Sequence, residues 1–262
     1  MATLNISDQI ELNYRVDRAG DTVWLLFNGA TLPLEFWDSL VEKLEGMVIR
    51  FDQRNAGNTK SSGPFTLNDV AADAARLLDH LEVERVVVLG HAWGGRVAQV
   101  FVRDYPHLVR GLIICGTGGQ FPSSVSDKIL KAVREAVKAR DRDAWETALE
   151  AAYCAKEFAN RNPEIFRSIT DTLWAKPTNH TTRWDHRVSP SSSYWGTSRV
   201  PTLLIYGKED KFGTPENARD LNRAIEGSRL VFIEQAGHFV VREVESAVLT
   251  ELSAFSKQLT NL

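Results

Sequence analysis

The run Arg85-Val86-Val87-Val88-Leu89-Gly90-His91-Ala92-Trp93-Gly94-Gly95 decides the fold. Four consecutive apolar residues, three of them β-branched, mark a strand buried on both faces, as the central strands of a parallel sheet are. A helix-like stretch, Trp93–Tyr105, follows with almost no connecting loop. Such an abrupt strand-to-helix turn needs small residues two places before and two places after its central position, because strand and helix backbones approach closely there. Gly90 and Gly94 fall at those places, so Ala92 is the central residue of an elbow. Its side chain is expected to project above the sheet, beside helix-terminal amides that favour a developing oxyanion. A plain glycine-rich turn would account for the glycines but not for the residues downstream.

Outward from the elbow, strand-like and helix-like segments alternate, the pattern of a mostly parallel sheet with helices on both faces. Leu4–Ile6 and Ile10–Val16 read as an antiparallel start, and Thr22–Phe27 as a buried strand leading into the Asn28-Gly29 turn. Pro33–Leu44 has Leu34, Trp37, Leu40, Val41 and Leu44 at helical spacing, which predicts one helix. Met47–Phe51 is a strand, Asp52–Gly63 a polar loop, Leu67–Leu81 a helix and Gly111–Cys115 a strand. From Phe121 to about Tyr194 the pattern is helical, with Ile129, Ala132, Val133, Ala136 and Val137 on one face. Strands at Pro201–Tyr206 and Leu230–Ile233, a helix at Pro215–Ile225 and a closing helix at Val244–Leu259 complete the pattern. The expected fold class is therefore α/β: a core at 1–120 and 196–262, with a helical cap inserted at 121–195.

The bulk properties narrow the function. The chain has 262 residues, 43% hydrophobic and 25% charged, enough for one sizeable core. A net charge of −3 and the lack of a Lys/Arg run argue against a nucleic-acid partner. Met1–Gln9 lacks the features of a secretory signal and no apolar run is long enough to span a bilayer, so a cytoplasmic location without membrane attachment is expected. Cys115 and Cys154 sit in unlike contexts and are expected to be free thiols. No histidine pair has metal spacing, and Gly116–Gly119 lacks the lysine of a phosphate loop, so neither metal nor cofactor is expected.

Two further residues fall into place in chain order. Asp210 closes Gly207-Lys208-Glu209-Asp210 just after one strand, and His238 lies in Ala236-Gly237-His238 just after the next. Either alone reads as an ordinary loop residue. Together they share a carboxyl edge with position 92, in the order nucleophile, acid, histidine. His238 would act as general base and Asp210 would fix its tautomer, with Glu209 the weaker choice for the acid. The oxyanion would meet the backbone amides of Trp93 and Ala30, with Gly29 letting the backbone approach. His80 and His107 read as helix-end residues, His180 and His186 as cap residues.

With these residues in place the chain resembles the α/β-hydrolase fold enzymes, and within them the lid-bearing group of 3-oxoadipate enol-lactonases and related esterases. The resemblance spans nearly the whole chain and rests on Phe27-Asn28-Gly29-Ala30, on Phe51 to Thr59, on the elbow, and on the segments holding Asp210 and His238. It implies a cofactor-free hydrolase acting through an acyl-enzyme. Three positions depart from the family pattern: Asn28 stands for a histidine, Asn55 for a glycine, and Ala92 for the nucleophilic serine. A methyl group cannot attack a carbonyl, and loss of a triad nucleophile costs on the order of a million-fold in turnover.

The leading expectation is a hydrolase of a small-molecule ester or lactone in a Ser-to-Ala form that holds substrate unhydrolysed. Two alternatives stay open: a naturally nucleophile-free protein that binds a small ligand, and a His–Asp dyad enzyme such as a cofactor-free dioxygenase or C–C hydrolase. Trp93, Phe121, Trp145, Trp174 and Trp184 are candidate walls for an apolar or aromatic substrate, or else packing within the cap. Arg54 is a candidate partner for a substrate carboxylate, or one half of an internal ion pair. The sequence is silent on oligomeric state and leaves a homo-oligomer open.

Overall fold

The structure, a computed structural model, describes residues 1–119, 121–175 and 194–260. Nine strands form one sheet: β1 (Ala2–Ser7), β2 (Ile10–Asp17), β3 (Val23–Phe27), β4 (Met47–Phe51), β5 (Lys60–Ser61), β6 (Val86–His91), β7 (Val109–Cys115), β8 (Thr202–Gly207) and β9 (Arg229–Ile233). Their order is β1-β2-β4-β3-β6-β7-β8-β9, with β5 beside β2. Pairs from β4 through β9 are parallel and those made by β2 are antiparallel. The chain forms an α/β fold with a central, mostly parallel sheet flanked by helices.

The valine run sorts its side chains by parity, since successive residues of a strand face opposite ways. Val86 and Val88 join Leu25, Phe27, Leu112, Ile114 and Leu204 in one apolar layer. There they pack on α2 (Leu67–His80) and α3 (Trp93–Asp104). Val87 and Leu89 join Trp24, Leu26, Ile113 and Leu203 in the other layer. That layer also holds Val248, Leu252 and Phe255 of α10 (Glu245–Thr260). The second layer continues without a break into Val133, Trp145, Leu149 and Phe166. These belong to α4 (Asp127–Ala139), α5 (Arg142–Tyr153) and α7 (Pro163–Ala175), which with α6 (Phe158–Arg161) are the helices between β7 and β8 among the described residues.

Several expectations need correction. Pro33–Leu44 is not one helix but a 3-10 turn, Leu34–Trp37, followed by α1 (Asp38–Lys43). The tighter turn lets Leu34, Phe36 and Trp37 all be buried, which a single 3.6-residue stripe cannot do, while Arg50 donates to the Leu34 carbonyl and the Asp38 carboxylate. The loop after β4 contains β5, held by backbone pairing that leaves no apolar pattern in the sequence. The closing helix is preceded by a separate turn, α9 (Val240–Glu243), because Val244 takes a non-helical φ of −135°. In α4, Val133 and Ala136 are buried but Ala132 is exposed.

Candidate active site

The elbow is built as tightly as its glycines require. Ala92 sits at φ 51° and ψ −118°, a conformation non-glycine residues rarely adopt and one that costs on the order of 1–3 kcal/mol. Its surroundings over-determine it. Its amide donates to the Cys115 carbonyl, and its own carbonyl accepts from the Gly95 amide and the Thr117 hydroxyl. A Cβ on Gly90 would lie 2.6 Å from the Gly94 carbonyl oxygen, and one on Gly94 would lie 2.3 Å from the carbonyl oxygens of both Phe27 and Asn28. Both positions are therefore closed to any side chain.

Asp210 and His238 meet in space. The His238 Nδ1–H donates to the Asp210 carboxylate, at 3.0 Å from Oδ1 and 3.1 Å from Oδ2. Asp210 Oδ1 also accepts from the amides of Phe212 and Gly213. With its Nδ1 proton committed, His238 keeps Nε2 as the basic nitrogen. Glu209, the weaker choice, instead accepts from the Lys156 amide.

The backbone around His238 is moored at three successive amides. Gly237 and Phe239 donate to the buried Glu243 carboxylate, which also accepts from Ala155, and His238 donates to the Tyr153 carbonyl at 2.6 Å. Burial pushes the Glu243 carboxyl up to about 7, against the pull of those three amides. Beneath lies His91, whose Nε2–H donates to the His238 carbonyl at 2.8 Å and whose ring stacks on Phe36. Burial pushes this imidazole down to about 3, assisted by the neighbouring His238, so it is neutral.

The loop after β3 is fixed by Asn28. Its side-chain amide donates to the carbonyls of Leu32 and Phe51, and its oxygen accepts from the Trp37 indole at 2.6 Å. This fully used side chain holds the tight turn from Gly29 to Leu32, whose ends are joined by a 3.1 Å hydrogen bond. A Cβ on Gly29 would lie 3.1 Å from His91 Nδ1 and 2.8 Å from the Leu32 side chain.

One cavity of about 540 Å³, within the usual range for small-molecule sites, draws these elements together. Ala92, Trp93, Gly29, Ala30, His238, Phe121, Trp145 and Trp174 all line it. Asp210 stands behind His238 rather than on the wall, and Trp184, with His180 and His186, lies outside the described residues. The sequence reading missed several wall residues. Tyr153 is stacked between Phe212 at 4.6 Å and Phe239 at 5.1 Å, and Phe212 in turn faces the His238 ring. Phe212 and Phe239 could have been found as the aromatic neighbours of Asp210 and His238 in sequence, but nothing around Tyr153, at a helix end, marks it. Arg96 also lines the cavity, and no feature of its helical segment marks it in sequence.

Arg54 does not approach the cavity. Its guanidinium makes a two-pronged ion pair with Asp73, so the internal-ion-pair reading is the one realised. Cys115 and Cys154 are both free and buried. Among the described residues no cluster of three His, Cys, Asp or Glu side chains could hold a metal, and no helix is long and apolar enough to cross a membrane.

The family model described as the alpha/beta hydrolase fold matches residues 25–243. The chain belongs to this family. Among solved structures of α/β-hydrolases it is similar to a thermophilic esterase from Thermogutta terrifontis, determined with malate bound. Identity is 25%, the TM-score 0.78, and the match covers 98% of this chain and 97% of the other. The enol-lactonase from Burkholderia xenovorans LB400 superposes with a TM-score of 0.75 at 23% identity, over 95% and 97% of the two chains, which is a likeness of fold. Among curated proteins, the 2-hydroxy-6-oxo-2,4-heptadienoate hydrolase of Pseudomonas putida is 27% identical over 176 residues, 64% of this chain. The match spans 62% of that relative's length, and 35% of the length of another curated relative.

Proposed function

We propose that this is the site of a hydrolase for a small-molecule ester or lactone, in a form whose attacking hydroxyl is replaced by the methyl of Ala92. The observation that carries the reading is the strained elbow at position 92 on the same cavity as a histidine whose Nδ1 is held by a buried aspartate. With serine at 92, His238 Nε2 would take its proton as the oxygen attacks the acyl carbon, and then return it to the leaving alkoxide. The oxyanion would be met by the amides of Trp93, the first of α3, and Ala30. In this reading residues 121–195 are a cap over a core formed by 1–120 and 196–262. The esterase among the structural neighbours supports the reaction class.

The chain as it stands would hold an acyl substrate without forming an acyl-enzyme. The test is Ala92→Ser assayed on a panel of p-nitrophenyl esters and of small and large lactones. Turnover is expected to rise on the order of a million-fold over the Ala92 form. A folded Ala92→Ser protein inert on the whole panel refutes the proposal. A second reading is favoured by the intact Asp210–His238 pair and by the C–C hydrolase among the relatives: general-base chemistry by the dyad alone. Turnover by the Ala92 form that disappears in His238→Ala would select it.

A further inference from the structure

Arg96 stands four residues after Ala92, one turn further along α3, and lines the same cavity. It is the only lysine or arginine on that wall among the described residues. A guanidinium carries five N–H donors. Among the described residues Arg96 uses one, its Nε–H, which donates to the Gly118 carbonyl at 3.1 Å, and no carboxylate pairs with it. The other arginines placed in buried surroundings are engaged differently: Arg50 pairs with Asp17 and Asp38, Arg54 with Asp73, and Arg242 donates to the Phe36 carbonyl and the Ser168 hydroxyl.

The anchor that aims Arg96 is rigid. The Gly118 loop is tied to the elbow by Thr117, whose hydroxyl donates to the Ala92 carbonyl, and to α8 (Pro215–Ala224) by the Gly119 amide, which donates to Asn217. Gly119 packs closely on the Trp195 ring, which a Cβ there would meet at 2.1 Å. A cation held by one hydrogen bond, its remaining donors without a partner among the described residues, on a cavity also lined by Trp93 and Phe121, is prepared for a planar anion. Aromatic walls exclude water and strengthen such a pairing relative to the protein surface.

We infer that Arg96 is a specificity-determining residue that receives a carboxylate, so that the natural ligand of this cavity is an acid as well as an acyl compound: a half-ester of a dicarboxylic acid. The acyl part of this inference rests on the function proposed above, whereas the carboxylate part does not.

The experiment is direct binding to the chain as it stands, followed by tryptophan fluorescence, with two probes that differ in one charge: monobenzyl succinate and its neutral methyl ester, benzyl methyl succinate. The half-ester is expected to bind at least about tenfold more tightly at low ionic strength. Raising the salt concentration should narrow the difference. Arg96→Met should abolish the preference, and Arg96→Lys should retain part of it. Equal binding of the two probes by the unmodified chain overturns the inference, as does a preference that survives in Arg96→Met. Should Arg96→Met not fold, the Arg96→Lys affinity decides: a preference undiminished by the loss of the fork overturns the inference. The readout does not depend on turnover, so an inert Ala92→Ser with an intact charge preference refutes only the proposed hydrolysis, and an active Ala92→Ser without that preference refutes only the role of Arg96.

Discussion

Replacing Glu243 by glutamine isolates the group that moors the candidate histidine. Oε2 accepts from Ala155 and Gly237, and Oε1 from Phe239, all within 3.0 Å. A glutamine can place its oxygen at the first pair, but its NH2 then faces the Phe239 N–H, donor against donor. One buried amide is left unsatisfied, a loss of about 1–3 kcal/mol. Against this stands the protonation cost. Burial raises the Glu243 carboxyl from 4.5 to about 7, so between those values the folded chain binds a proton that the unfolded chain has released. Stability contributed by this group therefore falls as pH rises through that window and is flat above about 7. From pH 5 to pH 7 the fall is roughly 2–3 kcal/mol at 1.36 kcal/mol per unit. Glutamine does not titrate. Urea unfolding of both proteins at pH 5 and pH 8 should show Glu243→Gln less stable at pH 5, with a deficit that shrinks by about 2–3 kcal/mol at pH 8. Other titrating groups cancel in the difference. A deficit that stays constant or grows with pH would mean that the three amides hold the carboxylate ionised, and the reasoning fails.

Two other perturbations follow from the same region. His91 is buried and neutral, pushed from 6.5 to about 3, so the unfolded chain binds the extra proton between those values and stability is lost as pH falls through them. His91→Phe, which keeps the stacking on Phe36, should lose less stability than the parent between pH 6 and pH 4, by about 2–3 kcal/mol in denaturant titrations; parallel pH profiles would count against it. Ala92→Gly should relieve the positive φ at the cost of about 0.5–1 kcal/mol of chain entropy. The net gain is about 1 kcal/mol, and a lowered unfolding midpoint in urea would contradict the strain at position 92.

The central layer of this fold was legible because parity and glycine spacing are local signals. The run from Val86 to Gly95 carries its own instructions: β-branched residues for a two-faced strand, and two glycines where no Cβ fits. Asp210 and His238 were legible as a pair because each follows a strand that ends on the same sheet edge. What escaped was decided by contacts between distant segments. The 3-10 turn at Leu34 answers to Arg50 from the neighbouring strand, and β5 exists only through pairing with β2. Arg54 stood out in sequence as a candidate for an anion, and Arg96 did not. Asp73, nineteen residues from Arg54, engages one, while the Gly118 carbonyl, twenty-two residues from Arg96, aims the other at the cavity. The wall made by Tyr153, Phe212 and Phe239 brings together three parts of the chain and has no periodicity to betray it.

The elbow owes its shape to everything except the side chain it displays. The Ala92 amide is claimed by Cys115, its carbonyl by Gly95 and Thr117, and the flanking glycines by the strand and helix they separate. Position 92 is thus a mounting post whose fitting is interchangeable. A thiol installed there would be presented to the same cavity for capture by an acylating reagent, making one scaffold serve in turn as binder, catalyst and covalent trap.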